Sequence, residues 1–350
     1  MTGRAEPTIE DLLRASGVRD DEIEEAKAEG RFELLALEHL TLPDPGRFDL
    51  MQLSEATGMP AGQIAQLWRS LGFPDPRPGE RIFTQTDVDL LALVSSVLDA
   101  GVIEPGLTLQ MSRVMGSSLA RIAQALVEAI ETTGADGEGG RNESAFAGRA
   151  ARLLPALPRV MDAVWRRHLQ AAARARLARR EAADGTPDHK AVGFADLVGF
   201  TALSQQLSSH ELAVVVDRFE SIAYDTVVLL GGRVVKMIGD EAMFTVDDER
   251  SAVEIGLTLA ETYRADEELS EVRVGIASGP VLEREADCYG PVVNLAKRIV
   301  GIALPGAVVV SEEVHDALAD EDGFRWRSLR PRRLKDIGRV PLWRVRRAED

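Results

Sequence analysis

Two short apolar runs, Ala191 to Val198 and Arg233 to Ile238, read as strands, and each ends at a carboxylate. The first lies in Gly193-Phe194-Ala195-Asp196-Leu197-Val198-Gly199-Phe200-Thr201, the second in Lys236-Met237-Ile238-Gly239-Asp240-Glu241. A fold that makes these strands neighbours places Asp196 and Asp240 where they can share a pair of hard divalent cations. Gly199-Phe200-Thr201 then opens a helical pattern. Its first backbone N–H groups, at Phe200 and Thr201, lie beside the carboxylates as a seat for a polyphosphate. The pattern predicts metal-assisted chemistry on a nucleotide.

Periodicity divides the chain. Residues 1–157 read as helical, with apolar residues three and four apart in Leu34, Leu35, Leu37 and Leu40, and again in Leu107, Met111, Val114, Met115 and Leu119. Pro43 and Pro45 interrupt the first block, and Gly134 to Ser144 reads as a flexible loop before helical spacing resumes at Ala145. Residues 158–185 form a linker helix holding seven arginines (Arg159, Arg166, Arg167, Arg174, Arg176, Arg179, Arg180) and a narrow apolar stripe of Val160, Val164, Trp165, Leu169 and Ala172. Asp184-Gly185-Thr186-Pro187 ends it. From 186 to 350 strands and helices alternate: strands at 191–198, 233–238, 242–246 and 272–278, helical spacing at 201–229, 250–264 and 291–303. That mixture predicts an α/β or α+β sheet domain after an all-α one.

Five further positions accompany the aspartates. Lys236 precedes Asp240 by four residues. Asp287 opens Asp287-Cys288-Tyr289-Gly290-Pro291-Val292-Val293-Asn294-Leu295-Ala296-Lys297-Arg298, in which Asn294 and Arg298 share a helix face. Leu334-Lys335-Asp336-Ile337-Gly338 follows near the end. In this order the blocks resemble the class III nucleotidyl cyclases over roughly residues 190–345. The resemblance implies a ferredoxin-like βαββαβ core with extensions, acting as a head-to-tail homodimer with shared active sites. It implies that Asp196, Asp240 and the Leu197 carbonyl hold two Mg²⁺ or Mn²⁺ ions, that Asn294 orients the ribose, and that Arg298 stabilises the transferred phosphate. Lys335 would neutralise the β- and γ-phosphates. Lys297 stands where relatives have a small residue and is expected to point away from Asn294 and Arg298; Asp336 replaces a common glycine.

Hydrogen-bond polarity selects the base. Adenine offers an acceptor at N1 and a donor at N6, which an ammonium and a carboxylate complement; guanine reverses both. Guanylyl members of the family are expected to carry Glu and Cys where this chain has Lys236 and Asp287, and Cys288 lies one residue out of that register. The expected substrate is ATP, and the expected products are 3′,5′-cyclic AMP and pyrophosphate.

The N-terminal half holds a decoy. Leu53 to Leu71 reads as helix, turn, helix, and Arg81-Ile82-Phe83-Thr84 as a wing, so residues near 49–100 resemble a winged helix. Between Asp49 and Asp99, however, seven acids face three arginines, a net of −4. A polyanion would be repelled. The formal net charge of −16 likewise argues against nucleic acid and anionic membrane as partners. As a whole, residues 1–180 resemble the helical regulatory domain that precedes the catalytic domain in actinobacterial cyclases, which implies autoinhibition and a response to pH. An all-helical domain rich in Leu and Ala could instead enclose an apolar ligand such as a lipid, although a packed core explains the same residues.

The remaining features bound the setting. Cys288 is the sole cysteine, which excludes an intrachain disulfide and suits a reducing compartment. No apolar stretch reaches a membrane span, and the start of the sequence has no signal-peptide pattern, so a cytoplasmic protein is expected. Of the five histidines, none falls in a motif; His168 and His189 flank the interdomain connection as candidates for a pH switch. Two other function classes fit the pattern less well: a DNA-binding regulator with a cyclase-fold sensor, and a catalytically silent nucleotide-binding scaffold.

Overall fold

The computed structural model describes residues 8–15, 17–42, 44, 46–132, 153–182 and 189–348. Pro43, Pro45, the Gly134 to Ser144 stretch, the resumption at Ala145 and the stop at Asp184-Gly185-Thr186-Pro187 lie outside the described residues. The chain divides into two units, Met1–Glu181 and Ala182–Asp350.

The first unit is helical among its described residues: α1 (Ile9–Ala15), α2 (Asp20–Ala28), α3 (Phe32–Thr41), α4 (Leu50–Thr57), α5 (Ala61–Ser70), α6 (Gln85–Asp99), α7 (Pro105–Thr132) and α8 (Leu157–Ala182). The first three close around Leu13, Ile23, Phe32, Leu35 and Ala36. The next three close around Leu53, Ile64, Leu67, Phe83 and Val88. These are small cores filled by their own side chains, with Ile23, Ala36 and Leu53 inaccessible.

Local chemistry sets the helix boundaries. Asp49 and Thr84 each accept the N3 backbone N–H of the helix they precede, and Gln52 and Asp87 return a bond to the cap residue's own N–H. Each reciprocal pair satisfies two otherwise orphaned donors. Gly58, at φ 72°, ends α4 in the left-handed conformation. The expected wing reduces to one bridge, Phe83 to Phe48. Along α8 the described arginines, Arg159, Arg166, Arg167, Arg174 and Arg176, are exposed, as are Val160, Val164, Trp165 and Leu169.

The second unit runs β1 (His189–Leu197), α9 (Phe200–Ser204), α10 (Ser209–Leu229), β2 (Arg233–Ile238), β3 (Glu241–Val246), α11 (Glu249–Ala265), β4 (Val272–Pro280), β5 (Leu282–Arg284), β6 (Asp287–Tyr289), α12 (Pro291–Val300), β7 (Val308–Ser311), α13 (Glu312–Leu318), β8 (Phe324–Leu334) and β9 (Gly338–Arg347). The helical spacing read over 201–229 resolves into two helices, because Ser208 caps a fresh start through Glu211.

Seven strands form one sheet in the order β2-β3-β1-β4-β7-β9-β8. Among the described residues only β4 and β7 pair in parallel. The first four strands with α10 and α11 make the βαββαβ arrangement of a ferredoxin-like core, so the domain is α+β. On one face of the sheet the core holds Phe219, Ala223, Phe244, Ile255, Tyr263 and Ile276, drawn from α10, α11 and the strands. The Tyr263 hydroxyl donates to the Phe219 carbonyl at 2.6 Å and ties those two helices together. On the other face α12 packs Ala296, Ile299 and Val300 against Val192, Phe194, Met243 and Ala277. Gly275 makes that approach possible. A Cβ there would stand 2.3 Å from the Val300 nitrogen.

Candidate active site

Strand alternation decides which side chains meet at the α12 face. On β1, Asp196 shares the parity of Val192 and Phe194. On β3, Glu241 shares that of Met243, and on β4 Arg273 shares that of Ala277. Asp196 is the register partner of both Glu241 and Arg273. Its Oδ2 accepts the Arg273 Nε–H at 2.6 Å.

Asp240 reaches the same place through a turn. Ile238 pairs with Glu241, leaving Gly239, at φ 63°, and Asp240 as the two-residue connection. The Leu197 N–H donates to the Asp240 carbonyl at 3.0 Å, which pins the turn to the end of β1. The two carboxylates and the Leu197 backbone therefore belong to one end of the sheet. Immediately beyond, Gly199 at φ 78° starts the five-residue α9, with Phe200 and Thr201 as its first residues.

Glu241 is a buried neighbour of the two candidate carboxylates that motif reading overlooked. It is 4% exposed, and its Oε1 finds no hydrogen-bond partner among the described residues. Burial pushes its carboxyl above the usual range; a hydrogen bond and the charge of Lys297 pull it down, while Asp196 and Asp240 repel it upward again. Lys297 donates through Nζ to Glu241 Oε2 and lies over the Phe194 ring, 5.4 Å from its centroid. Lys297 thus reaches from the helix back to the sheet, to the residue that follows Asp240. The available signal was parity, since Glu241 stands two residues before the inward Met243.

Asn294 and Arg298 lie on α12 with Lys297. Arg298 Nη2 is 3.5 Å from Asp336 Oδ2. Asp336 has φ 66°, which accounts for a glycine being common there and for aspartate being tolerated. Lys335 is carried in the same β8–β9 turn that Arg298 meets.

Lys236 gains its direction from a bulge. The register of β2 against β3 slips between Val234 and Lys236, so Lys236 opposes Met243 and turns to the α12 face. Its Nζ donates to Asp287 Oδ2 at 2.5 Å, and the Cys288 N–H donates to Oδ1 at 2.8 Å. Burial acts to raise the Asp287 carboxyl, but these two bonds, the Lys236 charge and Tyr289 outweigh it and hold it below the usual range. Cys288 is 3% exposed and faces the α12-side core, with its thiol pushed up by burial. Among the described residues no hydrogen bond or ion pair joins the Lys236–Asp287 pair to Asp196 or Asp240.

The donor set fits a hard divalent cation. Asp196, Asp240 and the Leu197 carbonyl offer oxygen only, and no three His, Cys, Asp or Glu side chains converge as a cage among the described residues. Mg²⁺ characteristically takes one or two carboxylates and completes its shell with substrate phosphates and water. In the first unit, the recognition-type helix α5 has Arg69 as its one cation, and its Nη1 is bound to Asp75 at 2.8 Å.

Residues 185–344 match the family model for the adenylate and guanylate cyclase catalytic domain, and residues 2–173 that for the adenylate cyclase regulatory domain. An adenylate cyclase of Streptomyces coelicolor is 35% identical over 79% of this chain and 73% of its own length. One from Streptomyces griseus is 35% identical over 79% and 69%. A Mycobacterium tuberculosis protein named pH-sensitive adenylate cyclase is 31% identical over 99% of this chain and 89% of its own. With both domains matched in order and similarity running nearly end to end, the chain belongs to the adenylate cyclase family, in the group that places a regulatory domain ahead of the catalytic one.

Proposed function

We propose that this chain converts ATP to 3′,5′-cyclic AMP and pyrophosphate under control of its N-terminal unit. The observation that carries the choice of base is the 2.5 Å contact between Lys236 Nζ and Asp287 Oδ2. An ammonium and an ionised carboxylate side by side complement adenine N1 and N6, and oppose guanine at both positions.

In the reaction the ribose 3′-oxygen forms a bond to the α-phosphorus, the bond from that phosphorus to the α,β-bridging oxygen breaks, and the hydroxyl proton is lost. Two divalent cations, held by Asp196, Asp240 and the Leu197 carbonyl, would supply neutralisation of the triphosphate and a more acidic 3′-hydroxyl. Asn294 would hold the ribose so that its oxygen lies in line with the leaving group. Arg298 would donate to the α-phosphate oxygens as charge builds there, an interaction worth most in the transition state. Lys335, in the turn next to Arg298's partner Asp336, would bind the outer phosphates, and the start of α9 at Phe200 and Thr201 would lie beside them.

The carboxylate set and the base-reading set are separate clusters within one chain, which supports a homodimer whose sites are each completed by the partner. A cytoplasmic setting accords with the described helices, none of which is long and apolar enough to cross a membrane. The DNA-binding alternative loses support from Arg69, whose guanidinium is already engaged by Asp75. A cyclase assay with Mn²⁺–ATP and Mn²⁺–GTP, wild type against Asp240→Ala, tests the reading. Cyclic AMP formation that survives the substitution would refute the metal assignment.

A further inference from the structure

We propose that Arg233 is a positioning residue for base recognition, clamping the β5–β6 hairpin against β2 so that Asp287 faces Lys236. This rests on the reading of Lys236 and Asp287 as the base-recognising pair.

The hairpin that presents Asp287 cannot hold itself. Its strands are three residues each, and an isolated two-stranded hairpin is marginal at best in water. Its turn is Glu285-Ala286, between the paired residues Arg284 and Asp287, with φ of 55° and 62°. Two successive positive φ values suit Asn-Gly, and neither residue here is of that kind.

Cys288 anchors β6 in the α12-side core, and Arg233 adds the restraint on the turn and on β5. Arg233 is the first residue of β2, three before Lys236 on the same strand. Nη1 donates to the Ala286 carbonyl at 2.8 Å, and Nη2 donates to Glu283 Oε1 at 3.1 Å. The same Nη2 lies 3.8 Å from Cys288 Sγ. One guanidinium thus touches the turn, β5 and β6 together, a reach that the single ammonium of lysine lacks. Glu283 is in turn steadied by Lys190, which is 5% exposed, with Nζ 3.7 Å from Glu283 Oε1 and 2.6 Å from Asp247 Oδ1. A run of alternating charge, Asp247, Lys190, Glu283, Arg233, therefore backs the recognition pair.

Arg233 works through Ala286 and Glu283, so its loss disorders the pair without removing a group that acts on phosphorus. The full chain, assayed with Mn²⁺–ATP and Mn²⁺–GTP, tests this. Arg233→Ala is expected to raise KM for ATP about tenfold and to shrink the ATP-over-GTP ratio of kcat/KM by a similar factor, with kcat nearly unchanged. Arg233→Lys recovers little of the loss. Adding Glu285→Asn and Ala286→Gly to Arg233→Ala restores KM and the ratio, because that turn sequence adopts the conformation unaided. Should Arg233→Ala not fold, Glu283→Gln is measured in its place, with the same direction expected.

Wild-type KM and selectivity in a folded Arg233→Ala, a loss confined to kcat, or failure of the turn substitutions to rescue would each overturn the proposal. A wild-type chain that forms no cyclic nucleotide sinks the assigned reaction instead. The clamp is then read from amide hydrogen exchange over 282–289. Faster exchange in Arg233→Ala upholds it, and unchanged exchange overturns it.

Discussion

Lys297 on α12 donates through Nζ to Oε2 of Glu241, the residue that follows Asp240, while Glu241 Oε1 is buried with no hydrogen-bond partner among the described residues. Removing the ammonium strands a carboxylate that is 4% exposed beside Asp196 and Asp240. Lys297→Ala is expected to cost about 1–3 kcal/mol, less than a wholly buried pair because Lys297 is 47% exposed. Urea unfolding in EDTA measures it, and adding Glu241→Gln should recover most of the loss. The sign with pH follows from the raised carboxyl. The folded state binds this proton more readily than the unfolded one, so stability falls as pH rises through the folded pKa. Without Lys297 the carboxyl rises further, and the deficit is larger at pH 8 than at pH 5. Equal deficits at the two pH values would rule the pair out as its cause.

The Lys236–Asp287 pair carries its own pH signature. Asp287 is held below the usual carboxylate range, so it stays ionised through the range in which the enzyme can be assayed. The ATP-over-GTP preference should therefore be flat from pH 8 down to pH 5. A preference that titrates between them would assign a protonated Asp287 and a different mode of base recognition. Lys236→Ala, which leaves adenine N1 without its donor, is expected to lower kcat/KM for ATP on the order of 10²-fold. A change within twofold would exclude Lys236 from the base site.

Much of the candidate site was legible in the sequence, and the illegible parts have a common cause. Asp196, Asp240, Lys236 and Asp287 sit in short motifs whose local pattern survives in isolation, and the βαββαβ order follows from alternating periodicities. The Glu241–Lys297 bond joins residues 56 apart in the chain, and Arg233 reaches Ala286 across 53. Neither contact has a local signature. The direction of Lys236 was hidden for another reason. It depends on a bulge at Val235, and a register slip leaves no mark in a short apolar run. The break between α9 and α10, by contrast, was available in Ser208 and Glu211, a capping pair that the uniform helical spacing masked.

Regulation by the N-terminal unit has a direct test. The first unit has its own apolar cores, and α8 exposes an apolar row of Val160, Val164, Trp165 and Leu169 among its arginines. Deleting residues 1–180 removes all of these while leaving every proposed site residue in place. The truncated chain should form cyclic AMP at a rate, or with a pH profile, different from that of the full chain. Activity unchanged at every pH would sink the regulatory reading.

Sharing of sites between protomers makes a sharper demand. Asp240 lies in the β2–β3 turn, and Arg298 lies on α12, where its ionic contact among the described residues is Asp336 rather than Asp196 or Asp240. If each site takes the carboxylates of one chain and the α12 residues of the other, Asp240→Ala and Arg298→Ala chains are each inactive alone. A mixed dimer, however, has one site carrying both lesions and one carrying neither. Random pairing of equal amounts makes about half of the dimers mixed, each with one working site, so the mixture should regain about a quarter of wild-type activity. The regained rate should rise with total protein concentration, as association does. If each chain built its site alone, mixing would restore nothing. That outcome would return Asp196 and Asp240 to an intrachain site and require Arg298 to reach it within one protomer.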